Sequence, residues 1–182
     1  MKQLSLKPIQ FITILILVLT ACNPAPKPAE QEEKNTTTTI SDAEFQALWE
    51  KIDLLWEKRE SNLVSSVFAS NFTRISPAGT STSVEELTNE MNAITGAYPD
   101  LTLDLERFDI RGNMVIVHWS VNGTFTGELG GVKGNGKPFS DVVGVTVITV
   151  ENGLIVKDDS YWDTFAVFAQ TGYTIASPET ES

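Results

Sequence analysis

The first half of the chain places apolar residues at the spacing of amphipathic helices. Within residues 41–60, an apolar side chain recurs every three or four positions: Phe45, Leu48, Trp49, Ile52, Leu55 and Trp56. Ser41 followed by Glu44 has the pattern of a capping box, which starts a helix. A shorter helix is predicted over residues 61–70 and a third over residues 83–96. We therefore expect three helices in the N-terminal half.

The pattern changes to period two from Leu101 onward, where leucines alternate with polar residues. Further strands, rich in valine and isoleucine, are predicted over residues 114–125, 139–151 and 154–162. Asn152-Gly153 predicts a hairpin turn, and the glycine-rich residues 127–138 predict a hairpin connection. A short closing helix is expected over residues 163–171. Helices followed by an antiparallel meander predict an α+β fold, in which helices cover one face of a curved sheet.

The N-terminus has the layout of a secretory signal. Two lysines precede an apolar run over residues 9–19, and the small residue Ala21 stands before the only cysteine, Cys22. The run is too short to span a bilayer, which takes about 20 residues. Leu19-Thr20-Ala21-Cys22 resembles the lipobox of bacterial lipoproteins, and this resemblance implies cleavage before Cys22 and lipidation of its thiol. The alternative is an ordinary secreted protein with a chance cysteine.

These patterns divide the chain into four segments. We expect a signal peptide over residues 1–21, a disordered tether over residues 22–40, a folded domain over residues 41–173 and a polar tail over residues 174–182. The tether is rich in proline and shows no apolar periodicity. The protein is then expected in the bacterial cell envelope, anchored to the extracytoplasmic face of a membrane through Cys22.

Charge and the scarcity of cysteine and histidine exclude several classes of function. The chain has 13 basic and 24 acidic residues and a formal net charge of −11. Such a chain is repelled by phosphate backbones, and no basic patch indicates a nucleic-acid partner. With Cys22 lipidated and His118 the only histidine, neither a disulfide nor a structural zinc site is expected. We predict no metal and no cofactor.

Several short motifs follow one another after residue 97. They are Tyr98-Pro99-Asp100, Val117-His118-Trp119, Gly123-Thr124-Phe125-Thr126-Gly127-Glu128, Asn135-Gly136-Lys137-Pro138, Glu151-Asn152-Gly153-Leu154-Ile155-Val156 and Tyr161-Trp162-Asp163. Their order and spacing resemble the SnoaL-like polyketide cyclase and ester cyclase family, within the nuclear transport factor 2-like superfamily. The resemblance implies a cone-shaped barrel of a curved, mainly antiparallel sheet, with three N-terminal helices over its concave face. It also implies a pocket inside the cone and a homodimer through the outer face of the sheet.

The family's catalytic residues are replaced in this chain. In the cyclases, an aspartate just before the Tyr-Trp pair of the last strand is the acid/base in an aldol ring closure, and a histidine on the preceding strand assists. The matching positions here are Ser160 and Thr146, and the histidine of the family's Gly-Thr-His-Thr-Gly turn is Phe125. The resemblance therefore extends to the scaffold and weakens the expectation of cyclase activity.

Strand alternation nominates other residues for the pocket. Asp158, Ser160 and Trp162 share one face of the last strand, and Thr146 lies in the matching row of its neighbour. If these rows face the pocket, Asp158 is a general acid or base at the end of an apolar row. The alternative, which we favour from sequence alone, places Asp158 and Asp159 in water at the rim of the strand.

The only histidine and several aromatic residues are further candidates. His118 is either a catalytic base in the pocket or a partly exposed sheet residue, and the sequence does not separate the two faces. Trp119, Phe125, Tyr161 and Trp162 would form an aromatic wall for a flat apolar ligand. Aromatic residues also pack in cores, which is the alternative for this group.

Three functions remain open from the sequence. The first is an anchored domain that binds a small apolar molecule in the cone without catalysis. The second is a SnoaL-like cyclase, isomerase or hydrolase that performs acid/base chemistry on a small carbonyl compound through Asp158. The third is a module that binds an envelope protein through the outer face of the sheet. The first two carry nearly equal weight.

Overall fold

The computed structural model describes residues 39–174. The predicted signal peptide, Cys22, nearly all of the tether and the end of the tail lie outside the described residues. Within the described part of the chain, no helix is both long enough and apolar enough to cross a membrane.

Among the described residues, four helices flank or cover the sheet. They are α1 (Asp42–Glu57), α2 (Val64–Val67), α3 (Val84–Ala97) and α4 (Thr164–Gln170), and a single 3-10 turn, Ser61–Leu63, precedes α2. The capping box at the start of α1 is confirmed, because the Glu44 backbone N–H donates to Ser41 Oγ and the Ser41 backbone N–H donates to Glu44 Oε2. Ile40, assigned above to the tether, is buried, and its N–H donates to the Gly112 carbonyl at 3.0 Å.

Within residues 39–174, eight strands form two sheets. They are β1 (Phe68–Ser76), β2 (Gly79–Ser81), β3 (Thr102–Arg111), β4 (Met114–Phe125), β5 (Glu128–Leu129), β6 (Val132–Lys133), β7 (Lys137–Glu151) and β8 (Leu154–Trp162). Six of them form one sheet in the order β2-β1-β8-β7-β4-β3, while β5 and β6 make a small hairpin inside the glycine-rich connection. All pairings are antiparallel except that of β1 with β8, which is parallel.

The predicted mixed fold is confirmed, with a curved and mainly antiparallel sheet. The sheet is not closed, since β2 and β3 are free edges, so the expected barrel is open. The sequence also missed β1: the helix predicted over residues 61–70 ends at Val67, and Phe68 begins a strand. Two inward positions of β1, Arg74 and Ser76, are polar and buried, so the alternation that marks a strand is absent.

The core lies between the helices and the concave face of the sheet. Phe45, Leu55 and Leu87 from the helices and Val115, Val117, Ile148 and Ile155 from the sheet are nearly inaccessible to solvent. On β7 the inward row alternates with an outward row, in which Val143 is 63% exposed. Because the concave face of the sheet is otherwise apolar, the few buried polar side chains on it indicate where a functional site lies.

Candidate functional site

A partly open cavity of about 90 Å³ lies between the concave face of the sheet and helices α1 and α3. Its wall is largely apolar, with aliphatic and aromatic side chains, and includes all four tryptophans of the chain: Trp49, Trp56, Trp119 and Trp162. Tyr98, Phe68 and Phe139 also contribute. The volume is below the ~150 Å³ of an engineered cavity that holds benzene. The cavity therefore suits a ligand of a few non-hydrogen atoms.

One end of the cavity is polar and is organised by Arg74 of β1. Its Nη1 donates to Asp158 Oδ1 at 2.7 Å and to Ser160 Oγ at 2.8 Å. Its Nε and Nη2 donate to the carboxylate of Glu90 on α3, each at 3.2 Å. The guanidinium carbon lies 5.3 Å from the centre of the Trp56 ring, within the range of a cation–π contact.

The charge of Arg74 is secured by its two partners. Burial alone would lower the pKa of this guanidinium, but the carboxylates of Asp158 and Glu90 outweigh burial and raise the pKa above its ordinary value. The three side chains are between 5 and 7% exposed. Arg74 is thus a permanent buried cation whose two carboxylate partners come from different elements, β8 and α3.

A chain of hydrogen bonds runs from Trp119 to Asp158. Trp119 Nε1 donates to Thr146 Oγ1 at 2.9 Å, Thr146 Oγ1 lies 2.8 Å from Ser160 Oγ, and Ser160 Oγ donates to Asp158 Oδ1 at 2.6 Å. Since the Ser160 proton goes to Asp158, the Thr146 hydroxyl must donate to Ser160. Both hydroxyl protons are therefore committed, and every dipole in the chain points toward Asp158.

One oxygen of Asp158 remains available to a ligand. Oδ1 accepts from Arg74 and Ser160, whereas no described residue donates to Oδ2. An oxygen without a hydrogen-bond partner is either accessible or both inaccessible and unpaired. Among the described side chains, only Oδ1 of Asp159 is both inaccessible and unpaired, so Oδ2 of Asp158 is accessible. Because Asp158 lines the cavity, Oδ2 is an acceptor for whatever occupies it.

The rim position favoured for Asp158 from sequence is wrong. The side chain is 7% exposed and faces inward beside Arg74. The sequence pattern did not reveal the cation that compensates its burial. Asp159 points the other way and pairs with Lys157 at the surface.

The structure brings four more of the nominated residues to the cavity. It leaves out His118, Phe125 and Tyr161, and Tyr161 is 57% exposed on the outer face, so the wall position expected of it is wrong. Trp119, Thr146, Ser160 and Trp162 all line the cavity. Phe125 does not: it is fully buried at the end of β4. Its ring packs in an aromatic group, with centroids 5.3 Å from Tyr98, 6.0 Å from Phe168 and 5.8 Å from Tyr173. The ligand contact expected of Phe125 is therefore wrong.

His118 lies on the opposite face of the sheet. Val117 and Trp119 point into the interior, so alternation along β4 turns His118 outward. There it borders an open groove of about 740 Å³ together with Arg107, Val143 and other residues of the outer face. The proposed role of His118 as a base in the cavity is wrong for this geometric reason.

Two site residues, Arg74 and Glu90, were missed from the sequence. Glu90 lies on the apolar stripe of α3, three residues after Leu87 and four before Ile94. A charge at such a position is a usable signal, because a buried carboxylate needs a buried cation as partner. Arg74 is the matching cation: it lies two residues after the buried Phe72, on the same face of β1, and is buried as well.

Gly144 of β7 sets the position of Trp119. The two residues are paired across β4 and β7, and a methyl group at Gly144 would overlap the indole ring. The absence of a side chain therefore lets the ring lie flat against β7, where its N–H reaches Thr146. The Trp162 ring follows, with its centroid 6.3 Å from that of Trp119.

The remaining titratable group of the wall is Tyr98. Burial raises the pKa of its phenol to about 12, so the group stays protonated over the physiological range. Within residues 39–174, no three or more His, Cys, Asp or Glu side chains are grouped in a way that would hold a metal ion.

Comparisons with known proteins agree with this architecture. TsrD from Streptomyces laurentii superposes with a TM-score of 0.67 at 18% identity, covering 74% of this chain and 99% of that one. A candidate SnoaL-like polyketide cyclase from Jannaschia sp. CCS1 gives 0.61 at 20% identity, covering 74% and 98%. A protein with a ketosteroid isomerase-like fold from Catenulispora acidiphila, in complex with trimethylamine, gives 0.60 at 19% identity, covering 70% and 93%.

These structural likenesses concern the fold. No curated protein matches the chain. The family model described as SnoaL-like polyketide cyclase matches residues 46–171, which include the cavity, its polar end and all four tryptophans. The chain belongs to the SnoaL-like polyketide cyclase family.

Proposed function

We propose that this domain binds a small organic molecule in its cavity and does not perform cyclase chemistry. The observation that carries the proposal is the cavity itself: an apolar wall that contains four tryptophans, closed at one end by buried polar groups, with one carboxylate oxygen left free. Apolar walls with a few fixed polar groups are the usual composition of ligand sites. The wall supplies affinity, and Asp158 with its partners orients the ligand.

The hydrogen bonds at the polar end of the cavity disfavour cyclase chemistry. At the family's catalytic positions, Ser160 and Thr146 hold hydroxyls whose protons are already donated within the hydrogen-bond chain. Asp158, the next inward-facing residue along β8, already accepts hydrogen bonds from Arg74 and Ser160 through Oδ1. The site is therefore better organised to hold a ligand than to move a proton.

The cellular setting belongs to the proposal as well. We infer from residues 1–22 that the protein is a lipoprotein on the extracytoplasmic face of a bacterial membrane. Expression with radiolabelled palmitate in a bacterium would test this. Label is expected in the wild type and absent from Cys22→Ser; label in both variants, or in neither, contradicts the anchor.

Xenon is a suitable probe for the ligand site, because it occupies small apolar cavities without specific polar contacts. Since every tryptophan lines the cavity, the four indole N–H signals of a ¹H–¹⁵N spectrum report on it directly. We expect these signals to shift saturably with xenon pressure. The shift should be lost in Ile94→Phe, which fills the cavity from α3, and kept in Ile116→Phe, which lies on the outer face. Unmoved indole signals in the wild type contradict the proposal.

A second candidate is acid/base chemistry on a small carbonyl compound, favoured by the free Oδ2 of Asp158. Acetone is small enough to test it, by following exchange of its methyl protons in D₂O. If Asp158 is a general base, the wild type accelerates exchange, Asp158→Asn abolishes the acceleration and the outward-facing Asp159→Asn retains it. Exchange at the rate of buffer alone rejects the enzyme.

A further inference from the structure

The polar end of the cavity holds more negative than positive charge. Arg74 is the only cation there, whereas Asp158 and Glu90 are both carboxylates and both pair with it. Arg74 and Asp158 line the cavity, and no other charged side chain of the described residues does. By formal charge, the cluster of Arg74, Asp158 and Glu90 carries one unbalanced negative charge in a largely desolvated place. An occupant that carries positive charge would remove this imbalance.

The wall suits the same kind of occupant. Aromatic faces attract cations, most strongly when the cation is desolvated, and tryptophan is the best of the aromatic side chains. Arg74 already covers the face of Trp56. Trp49, Trp119 and Trp162 remain at the cavity, and no charged group of the described chain is placed over them. An alkylated ammonium group would pack its methyl groups against these rings.

We propose that the cavity selects a small protonated amine of about the size of trimethylammonium. Its N–H donates to Asp158 Oδ2, and its alkyl groups contact the tryptophans. This inference rests on the proposed function, because it names the ligand class of the same site. An anion is disfavoured, since Arg74 already gives Nη1 to Asp158 and Ser160 and its other side to Glu90. An incoming carboxylate would therefore meet the carboxylate of Asp158 and find both sides of the Arg74 guanidinium already taken.

The test compares probes that share a shape and differ in charge. Trimethylammonium carries charge and an N–H, tetramethylammonium carries charge alone, and tert-butanol is neutral. Tryptophan fluorescence is the readout. We expect trimethylammonium to bind about tenfold more tightly than tert-butanol, with tetramethylammonium between them. Trimethylammonium makes both a charged hydrogen bond to Asp158 and cation–π contacts, and tetramethylammonium makes only the cation–π contacts. The hydroxyl of tert-butanol offers only a neutral hydrogen bond.

Two variants assign the selectivity to the charge cluster. Asp158→Asn should abolish the preference for the cation and leave tert-butanol affinity within about twofold. Glu90→Gln, which does not touch the ligand, should reduce the preference and serves if the first variant does not fold. Asp159→Asn is the matched control, since this neighbouring carboxylate faces outward and should change nothing.

The outcomes separate the two proposals. If tert-butanol binds as tightly as trimethylammonium, or if the preference persists in both Asp158→Asn and Glu90→Gln, the amine inference is overturned while the ligand site stands. If neither probe binds and xenon also leaves the indole signals unmoved, the proposed function fails together with the inference. Preference for the cation in the wild type and Asp159→Asn, lost in Asp158→Asn, is the result that we expect.

Discussion

The buried charge cluster makes Arg74→Met a severe perturbation. Methionine has about the right length and apolarity but removes the cation, which leaves Asp158 and Glu90 buried without it. At an effective dielectric constant of about 20, each pair at about 3 Å is worth about 5 kcal/mol of Coulomb energy. Much of this is offset by desolvation, and the loss of one partner from a buried pair costs about 3–5 kcal/mol.

That loss is a large share of the total stability of such a domain, which is typically about 5–15 kcal/mol. The triple variant Arg74→Met, Asp158→Asn, Glu90→Gln should recover most of the loss, since it has no charge left to compensate.

Urea unfolding followed by tryptophan fluorescence and far-UV circular dichroism measures these differences. Arg107→Met is the control: its ion pair with Asp109 is largely exposed, so the expected change in the free energy of unfolding is below about 1 kcal/mol. If Arg74→Met also falls within about 1 kcal/mol of the wild type at neutral pH, the cluster does not stabilise the fold as described.

Three further predictions concern the wall and the outer face. Gly144→Ala should displace the Trp119 ring, change the near-UV circular dichroism and cost about 1–3 kcal/mol; an unchanged spectrum contradicts the packing described. Burial raises the pKa of Tyr98 to about 12, so the contribution of its protonated phenol to the stability of the fold is complete below pH 10.0 and is lost as the pH rises through about 12. A spectrophotometric titration should show one tyrosine that ionises at a higher pH than the others, and Tyr98→Phe should remove that step. Val143 and Tyr161 are 63 and 57% exposed on the outer face, and a homodimer there predicts that Val143→Lys turns a dimer into a monomer by sedimentation; a monomeric wild type contradicts it.

The elements that the sequence predicted well are those with a strong local signal. Helix α1 has both a regular apolar stripe and a capping box, and β4 and β8 have runs of valine and isoleucine with clear turns at their ends. Strand β1 lacks such a signal. It is stabilised by parallel pairing with β8, more than 80 positions away in sequence, and Arg74 faces Asp158 across that pair. Pairing over such a distance leaves no local pattern.

The candidate site divides in the same way. Asp158, Ser160 and Thr146 share a face that follows from alternation along two neighbouring strands, so the sequence grouped them correctly. The direction of that face, and hence the outward position of His118, depends on where the helices pack. Glu90 reaches the site from α3 only through Arg74, so neither residue could be assigned without the other.

Ligand binding in the cavity is the central claim. A crystal structure of the protein under xenon pressure tests this directly, because xenon scatters strongly and marks the apolar space that it occupies. We predict a xenon peak in the cavity, in van der Waals contact with Trp49, Trp119 or Trp162, while the pairs of Arg74 with Asp158 and Glu90 remain in place. A cavity filled by its own side chains, with no xenon between the tryptophans, would contradict the account.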